Sequence, residues 1–377
     1  MQTISPARRA IWLEAPLLLL LTIPFHACGD GTPGIASESS FPSDPNPGPV
    51  DSTPPPGSDS VAPSPPDSTT PPPPDSTTPP PPDSTTPPPP DSTIPPPPPW
   101  AHCPYPGGPS STPRHVGIAF GPTHVPPPKL GGPFTGTQIT AVYPACLLAD
   151  LEIARRANAR VFISFTGNSQ YNRDENGFSL AKWKQRVDRF RNLDLTPYIA
   201  DGTILGHLLM DEPNDPHEWN GKTVSLADIE GMAKYSKEVW PAMTTYIRTF
   251  PEYLKGGQFP HLDALWFQYL DRWAPLDEFI AKHFGEVRSF GLNVISGLNV
   301  LNGGSKSSGI PGRRQGKNAM SAEELRSWGS RLLAQPNLCA FLLWEYDEAY
   351  LARPDIKAAI DDLAAIARSY PTDNCSR

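Results

Sequence analysis

The sequence predicts an eight-stranded β/α-barrel, (β/α)8 of the TIM type, carried behind a disordered proline-rich stalk. Three observations predict it. The 377 residues include 52 prolines, most of them before residue 101, which leaves residues 100–377 as the part that folds. A stretch of that size suits one large α/β domain, burying about three quarters of the surface its unfolded chain exposes. Within it, short continuous apolar runs are separated by segments of helical period, as expected for parallel strands covered by helices. No Gly-x-Gly-x-x-Gly follows any of these runs, which argues against an open dinucleotide-binding sheet.

Residues 1–28 have the form of an export signal. Arg8 and Arg9 precede an apolar run from Ile11 to Pro24, broken by Glu14, and the segment ends at Ala27-Cys28. A small residue directly before a cysteine is what diacylglycerol attachment requires, so Cys28 is expected to be lipidated; cleavage without acylation would give a secreted protein. Arg8-Arg9-Ala10-Ile11-Trp12-Leu13 loosely resembles a twin-arginine signal. The run is about 14 residues, shorter than the roughly 20 that a spanning helix needs, and no later segment qualifies. The expected location is extracytoplasmic, in the cell envelope, with the lipid as the only membrane attachment.

Residues 29–99 are nearly free of large apolar side chains. Pro-Pro-Pro-Pro-Asp-Ser-Thr-Thr repeats cleanly at 71–78 and 79–86. Such a chain cannot bury enough apolar surface to offset its ordering entropy, and proline runs favour polyproline II. Fully extended it would hold a domain on the order of 200 Å from an anchor. It is expected to be a disordered spacer.

From His115 the texture changes. Val116–Phe120, Arg160–Phe165, Ile204–Met210, Thr245–Thr249, Ala264–Tyr269, Asn293–Leu298 and Cys339–Trp344 are expected strands. Thr137–Val142 has the propensity to be the eighth. Helical periods fall at Leu147–Ala157, Leu180–Phe190, Leu226–Trp240, Leu276–Phe284, Ala322–Leu333 and Pro354–Arg368.

In such barrels chemistry sits where strands end. Those ends carry His124; Ser164, Thr166 and Asn168; Asp211 and Glu212; Arg248; Gln268, Tyr269 and Asp271; Asn299 and Asn302; and Trp344, Glu345, Tyr346 and Asp347. This mixture of aromatic, amide and carboxylate groups suits sugars, because aromatic faces stack on pyranose rings while amides, Arg and carboxylates hydrogen-bond hydroxyls. A carbohydrate is the expected partner. The expected contact residues are His207, Asn168, Arg248, Gln268, Tyr269, Asn299, Trp344 and Tyr346, although a histidine inside a strand is more often a core residue.

The sharpest signal is Gly206-His207-Leu208-Leu209-Met210-Asp211-Glu212-Pro213-Asn214-Asp215. An apolar strand ending in two adjacent carboxylates places acids at a barrel mouth, where desolvation and like-charge repulsion raise a pKa into the range of proton donation. The bland alternative is a pair that caps the next helix or pairs with Arg248. On this motif, and on Trp344-Glu345-Tyr346-Asp347, the region from His115 to Arg368 resembles barrel glycoside hydrolases, in which a strand ending in Asn-Glu-Pro or Asp-Glu-Pro supplies the acid/base glutamate. The resemblance implies that Glu212 is the proton donor. Two departures stand out: Asp211 replaces the usual Asn, and the strand three after the acid, where that clan keeps its nucleophile, carries no carboxylate. Glu345, one strand further on, is the expected partner, with Asp211 as modulator and Asp271 in reserve. If Glu345 points into the mouth, strand parity sends Asp347 the same way and Trp344 and Tyr346 the other. Glu345 capping the segment that leads to the last helix, or pairing with Arg353, is the alternative. Retention, inversion and a non-catalytic carbohydrate- or surface-binding barrel stay open.

Other classes are poorly supported. A net charge of −8 argues against nucleic acid, and Arg313, Arg314 and Lys317 sit in a Gly/Ser-rich loop that reads as solvated. No Gly-x-Ser-x-Gly, His-x-x-x-His or Cys-x-x-Cys occurs, so no metal or cofactor is expected, and a monomer is. With Cys28 set aside, Cys103, Cys146, Cys339 and Cys375 remain, an even number for an oxidising compartment. Cys339 opens the last strand at the barrel bottom and the last helix returns the chain there, so Cys339–Cys375 is the expected disulfide, leaving Cys103–Cys146.

Overall fold

The computed structural model describes residues 112–141 and 143–377. The expected export signal with Cys28, the stalk and Cys103 lie outside them. Cys146 is disulfide-bonded.

The strands are β1 (Ala119–Pro122), β2 (Gly136–Thr140), β3 (Arg160–Ser164), β4 (Arg173–Asp174), β5 (Gly177–Phe178), β6 (Ile204–Asp211), β7 (Thr245–Arg248), β8 (Ala264–Trp266), β9 (Asn293–Leu298) and β10 (Leu338–Leu343). The helices are α1 (Pro144–Arg156), α2 (Leu180–Asp188), α3 (Thr196–Ala200), α4 (Leu226–Val239), α5 (Leu276–Ser289), α6 (Ala322–Leu333), α7 (Glu348–Leu351) and α8 (Pro354–Ser369). Eight strands form one parallel sheet in the order β1-β10-β9-β8-β7-β6-β3-β2, and β4-β5 is a small hairpin.

β1 and β2 close the barrel without a regular ladder. Pro122 has no N–H to give, so side chains and the loop take over. The Thr137 hydroxyl donates to Pro122 O at 2.8 Å, and His124 N–H donates to Gln138 O at 2.8 Å. A Cβ on Gly136 would overlap Ala119, so glycine here permits the close approach.

Helix starts follow local chemistry. Pro144 and Pro354 stand in the first turns of α1 and α8, where a missing N–H costs nothing. Ser321 and Glu324 form a reciprocal capping box at the start of α6.

Two cores result, because strand residues alternate faces. Ala119, Phe162, Leu208, Tyr246, Ala264, Trp266, Ile295, Ala340 and Leu342 fill the barrel. The larger core lies between strands and helices and includes Phe120, Ile163, Ile247, Leu265, Val294, Phe341 and Leu343. The bottom of the barrel is closed by the C-terminal tail. Cys375 is disulfide-bonded to Cys339 with Cα atoms 5.1 Å apart, Thr244 Oγ1 donates to Asn374 O at 2.8 Å, and Asn293 Nδ2 donates to Ser376 O at 2.8 Å.

Several expected bounds shift. The first strand starts at Ala119 rather than Val116, because Gly117 turns the chain at φ 70° and Val116 is exposed. β8 ends at Trp266 rather than Tyr269.

Candidate active site

The C-terminal strand ends surround a cavity of about 560 Å³. Asp211 and Glu212 line it, together with His124, Thr140, Ser164, Thr166, Asn168, Trp266 and Trp344. How the acids reach it begins with a register shift in β6 between Leu208 and Met210. Irregular pairing there leaves the Leu209 carbonyl to the Trp183 indole of α2, which donates to it at 2.8 Å. Beyond the shift, Glu212 takes a left-handed conformation at φ 47°, unusual for a residue with a Cβ. The surroundings hold it there. Its N–H donates to Arg248 O at 2.9 Å, and its carbonyl accepts from the Trp219 indole at 3.3 Å.

Arg248 organises the mouth. Its Nη2 donates to Glu212 Oε1 at 2.8 Å, and its Nε donates to Asp211 Oδ1. The guanidinium carbon lies 5.1 Å from the Trp266 ring centre and 5.0 Å from that of Trp344, so two indoles bracket the cation. Glu212 is 6 % exposed. Desolvation pushes its carboxyl up to about 8 despite Arg248, with Asp211 and Asp215 adding repulsion. Desolvation also raises Asp211.

Trp344, not Glu345, takes the inward position after β10. Ala340 and Leu342 face the barrel interior, so the next residue of that parity is Trp344. Glu345 turns to the rim: it pairs with Arg313 and lies 3.3 Å from His124 Nδ1. This corrects the expectation that Arg313 is merely solvated and that Arg353 is the alternative partner; Arg353 pairs with Asp355. His124 is lowered by the apolar surroundings of its ring and by repulsion from Arg248 and Arg313, against the pull of Asp211, although 37 % of its side chain is exposed. Asp347 caps α7 by accepting from Tyr350 N–H at 2.8 Å.

The other expected contact residues divide. Asn168 and Trp344 line the cavity. His207 does not: it faces the helix layer, stacks on Trp183 at 5.5 Å and meets the Ser236 hydroxyl at 2.8 Å. Tyr269 also faces outward, against Phe279 and Trp328, with its hydroxyl donating to Ala274 O at 3.0 Å. Gln268 is buried and donates to Leu342 O at 3.1 Å, and Asn299 accepts from Asn302 N–H at 3.1 Å within a turn. Tyr346 packs edge-on to Phe134. Among the described residues, none of these five lines the cavity, nor does Asp271.

Several lining residues went unread in the sequence. Trp266 would have been found had the strand been ended three residues earlier. Arg173, His217, Glu218 and Trp219 come from the β4-β5 hairpin and from the loop after β6. The Trp219 indole, bonded to the Glu212 carbonyl, leaves no periodic signal in the chain.

No family model and no curated protein matches the chain. Among solved structures, an endocellulase from Pyrococcus horikoshii in a cellotetraose complex is 14 % identical, with a TM-score of 0.45 over 68 % of this chain and 93 % of that one. A GH18 chitinase from Pseudoalteromonas aurantia is 13 % identical, with a TM-score of 0.39 over 64 % and 98 %. An intracellular xylanase from Thermoanaerobacterium saccharolyticum is 14 % identical, with a TM-score of 0.41 over 65 % and 95 %.

Proposed function

We propose that the barrel hydrolyses glycosidic bonds, with Glu212 as proton donor. The observation that carries this reading is a carboxyl at a strand end that lines a cavity while only 6 % exposed, so that desolvation pushes it up to about 8. A protonated acid beside a glycosidic oxygen lowers the barrier by transferring its proton as the C–O bond breaks.

Asp211 serves as modulator rather than as the second catalyst. Its oxygen and that of Glu212 sit on neighbouring nitrogens of one guanidinium, too close together to flank a sugar ring. The second carboxylate therefore comes from another element. We assign that role to Glu345, which stands at the rim beside the cavity-lining Trp344 and pairs with Arg313. It attacks the anomeric carbon if the carboxyls stand about 5 to 5.5 Å apart, or activates water if about 6.5 to 9.5 Å apart. A second reading assigns the role to Glu218, favoured by its place in the cavity lining.

Hydrolysis of a glycan panel by wild type, Glu212→Gln, Glu345→Gln and Glu218→Gln decides among these. Glu212→Gln is expected to lose about 10²- to 10⁴-fold in kcat. Of the other two, only the true partner should lose comparably. Binding of glycans without hydrolysis would favour a carbohydrate-binding barrel instead.

The proposed site of action is outside the cytoplasm. The signal-like run ending at Cys28 supports this, and so does a Cys339–Cys375 disulfide, which oxidising compartments favour. Labelling with a lipid analogue should mark wild type and spare Cys28→Ser.

A further inference from the structure

β7 and β8 are joined without an α-helix. Their connection contains one 3-10 turn, Pro251–Leu254, which lies against α5. Three side chains of metal-ligand type converge at that contact. Glu252 comes from the turn, while His283 and Glu286 come from α5, three residues apart and hence on one helix face. One ligand atom from each lies within 4.8 Å of the other two.

The polar atoms there are arranged in two tiers. The outer oxygens take lysines: Lys282 Nζ is 3.1 Å from Glu252 Oε1, and Lys255 Nζ is 2.7 Å from Glu286 Oε1. The inner atoms lack well-formed hydrogen bonds. Glu286 Oε2 is buried without a hydrogen-bond partner. His283 is only 7 % exposed, walled by Phe250, Phe267 and Phe279, and its Nδ1 likewise has no hydrogen-bond partner. The nearest acid oxygen, Glu252 Oε2, stands 3.4 Å away. That is long for a hydrogen bond, but two ligands on a tetrahedral ion with bonds of about 2.1 Å lie about 3.4 Å apart. A buried polar atom left poorly paired is costly, and an ion between these three groups would satisfy the inner atoms together.

We propose that Glu252, His283 and Glu286 bind one divalent transition-metal ion of the zinc class, with water as the fourth ligand. One imidazole nitrogen with two carboxylate oxygens suits zinc better than calcium or magnesium, which take oxygen throughout. The lysines orient the ligating carboxylates from behind, as outer partners do in metal sites, and their charge moderates the affinity. The ion ties the helix-less crossover to α5. That crossover begins at Thr249, directly after Arg248, and the Thr249 hydroxyl donates to Asn214 at 2.7 Å. The metal thus stiffens the strand end that presents the guanidinium to both acids. Glu252 comes from a different segment than the His283 and Glu286 pair, which is why no full ligand set is visible in the chain.

The test uses the purified full chain, stripped with a chelator and titrated with Zn²⁺ by calorimetry and with Co²⁺ by visible absorption. Wild type should bind one equivalent, with a rise in Tm on adding Zn²⁺. His283→Gln and Glu286→Gln should weaken binding at least tenfold and lose that rise. Glu286 is partly exposed, so Glu286→Gln is expected to stay folded, which circular dichroism verifies. No binding by wild type, or undiminished binding by a folded Glu286→Gln, overturns the proposal.

Discussion

Arg248 and Glu212 are joined by a 2.8 Å hydrogen bond from guanidinium to carboxylate, while the same guanidinium also holds Asp211. One cation on β7 therefore serves two acids at the end of β6, Asp211 within the strand and Glu212 just after it. It does not offset the desolvation of either, and both carboxyls are raised. Glu212, the less exposed of the two, is the one pushed up to about 8.

That shift has a consequence for stability. Desolvation pushes the carboxyl up to about 8 in the fold against 4.5 ordinarily, so between those values the folded state is expected to hold a proton the unfolded chain has released. Stability falls as pH rises through this window. His124, His207 and His115 are lowered and act in the opposite sense below about pH 6.5, so the interval from pH 7 to 8.5 reports on Glu212 together with its neighbour Asp211, which is raised in the same sense. Thermal unfolding over that interval should show a decline in wild-type Tm that Glu212→Gln largely removes. Parallel slopes for the two proteins would refute the assignment.

Catalysis should share the same limit. If Glu212 is the acid, kcat/KM falls on the alkaline side with an apparent pKa near 8, as the proton it must donate is lost. A pH–rate profile on the best glycan substrate measures this. An alkaline limb below pH 6 would be inconsistent with Glu212 in that role.

Removing the shared cation should act on both properties. Arg248→Met leaves two carboxylates without a partner and two indoles without their bracketed cation, and is expected to destabilise by about 2 to 4 kcal/mol at pH 8. At pH 5 protonation relieves part of the loss. Denaturant titrations at the two pH values give the comparison; an equal cost at both would exclude carboxylate repulsion as the cause.

At the other end of the barrel, Cys339 and Cys375 lie 36 residues apart and are both fully buried. In the chain-entropy model Cys375→Ser costs about 3 to 4 kcal/mol. The cost should appear in urea unfolding of the oxidised protein and vanish when both proteins are unfolded in strong reductant.

Gly297 tests the packing of β9 on β10. A Cβ there would overlap the Leu342 carbonyl, a backbone atom with no rotamer to yield. Gly297→Ala is expected to cost about 2 kcal/mol or more, read from the urea midpoint. A neutral effect would mean that the strand pair can separate.

Much of this architecture was decided by the sequence alone. Continuous apolar runs such as Arg160–Phe165 and Ile204–Met210 need cover on both faces, which forces parallel strands and helices into one barrel. Asp211 and Glu212 had to emerge at the mouth, because a buried apolar strand ended just before them. What the chain could not disclose was direction. A strand's side chains alternate, so a register shift or a one-residue error in a strand end exchanges inside for outside. The shift in β6, and the early end of β8 at Trp266, therefore lay beyond a one-dimensional reading. So did the parity that turns Trp344 inward and Glu345 toward Arg313, and that sends His207 and Tyr269 into the helix layer. Closure of the barrel settled these choices, because only the assembled sheet brings Arg248 of one strand against both acids of its neighbour.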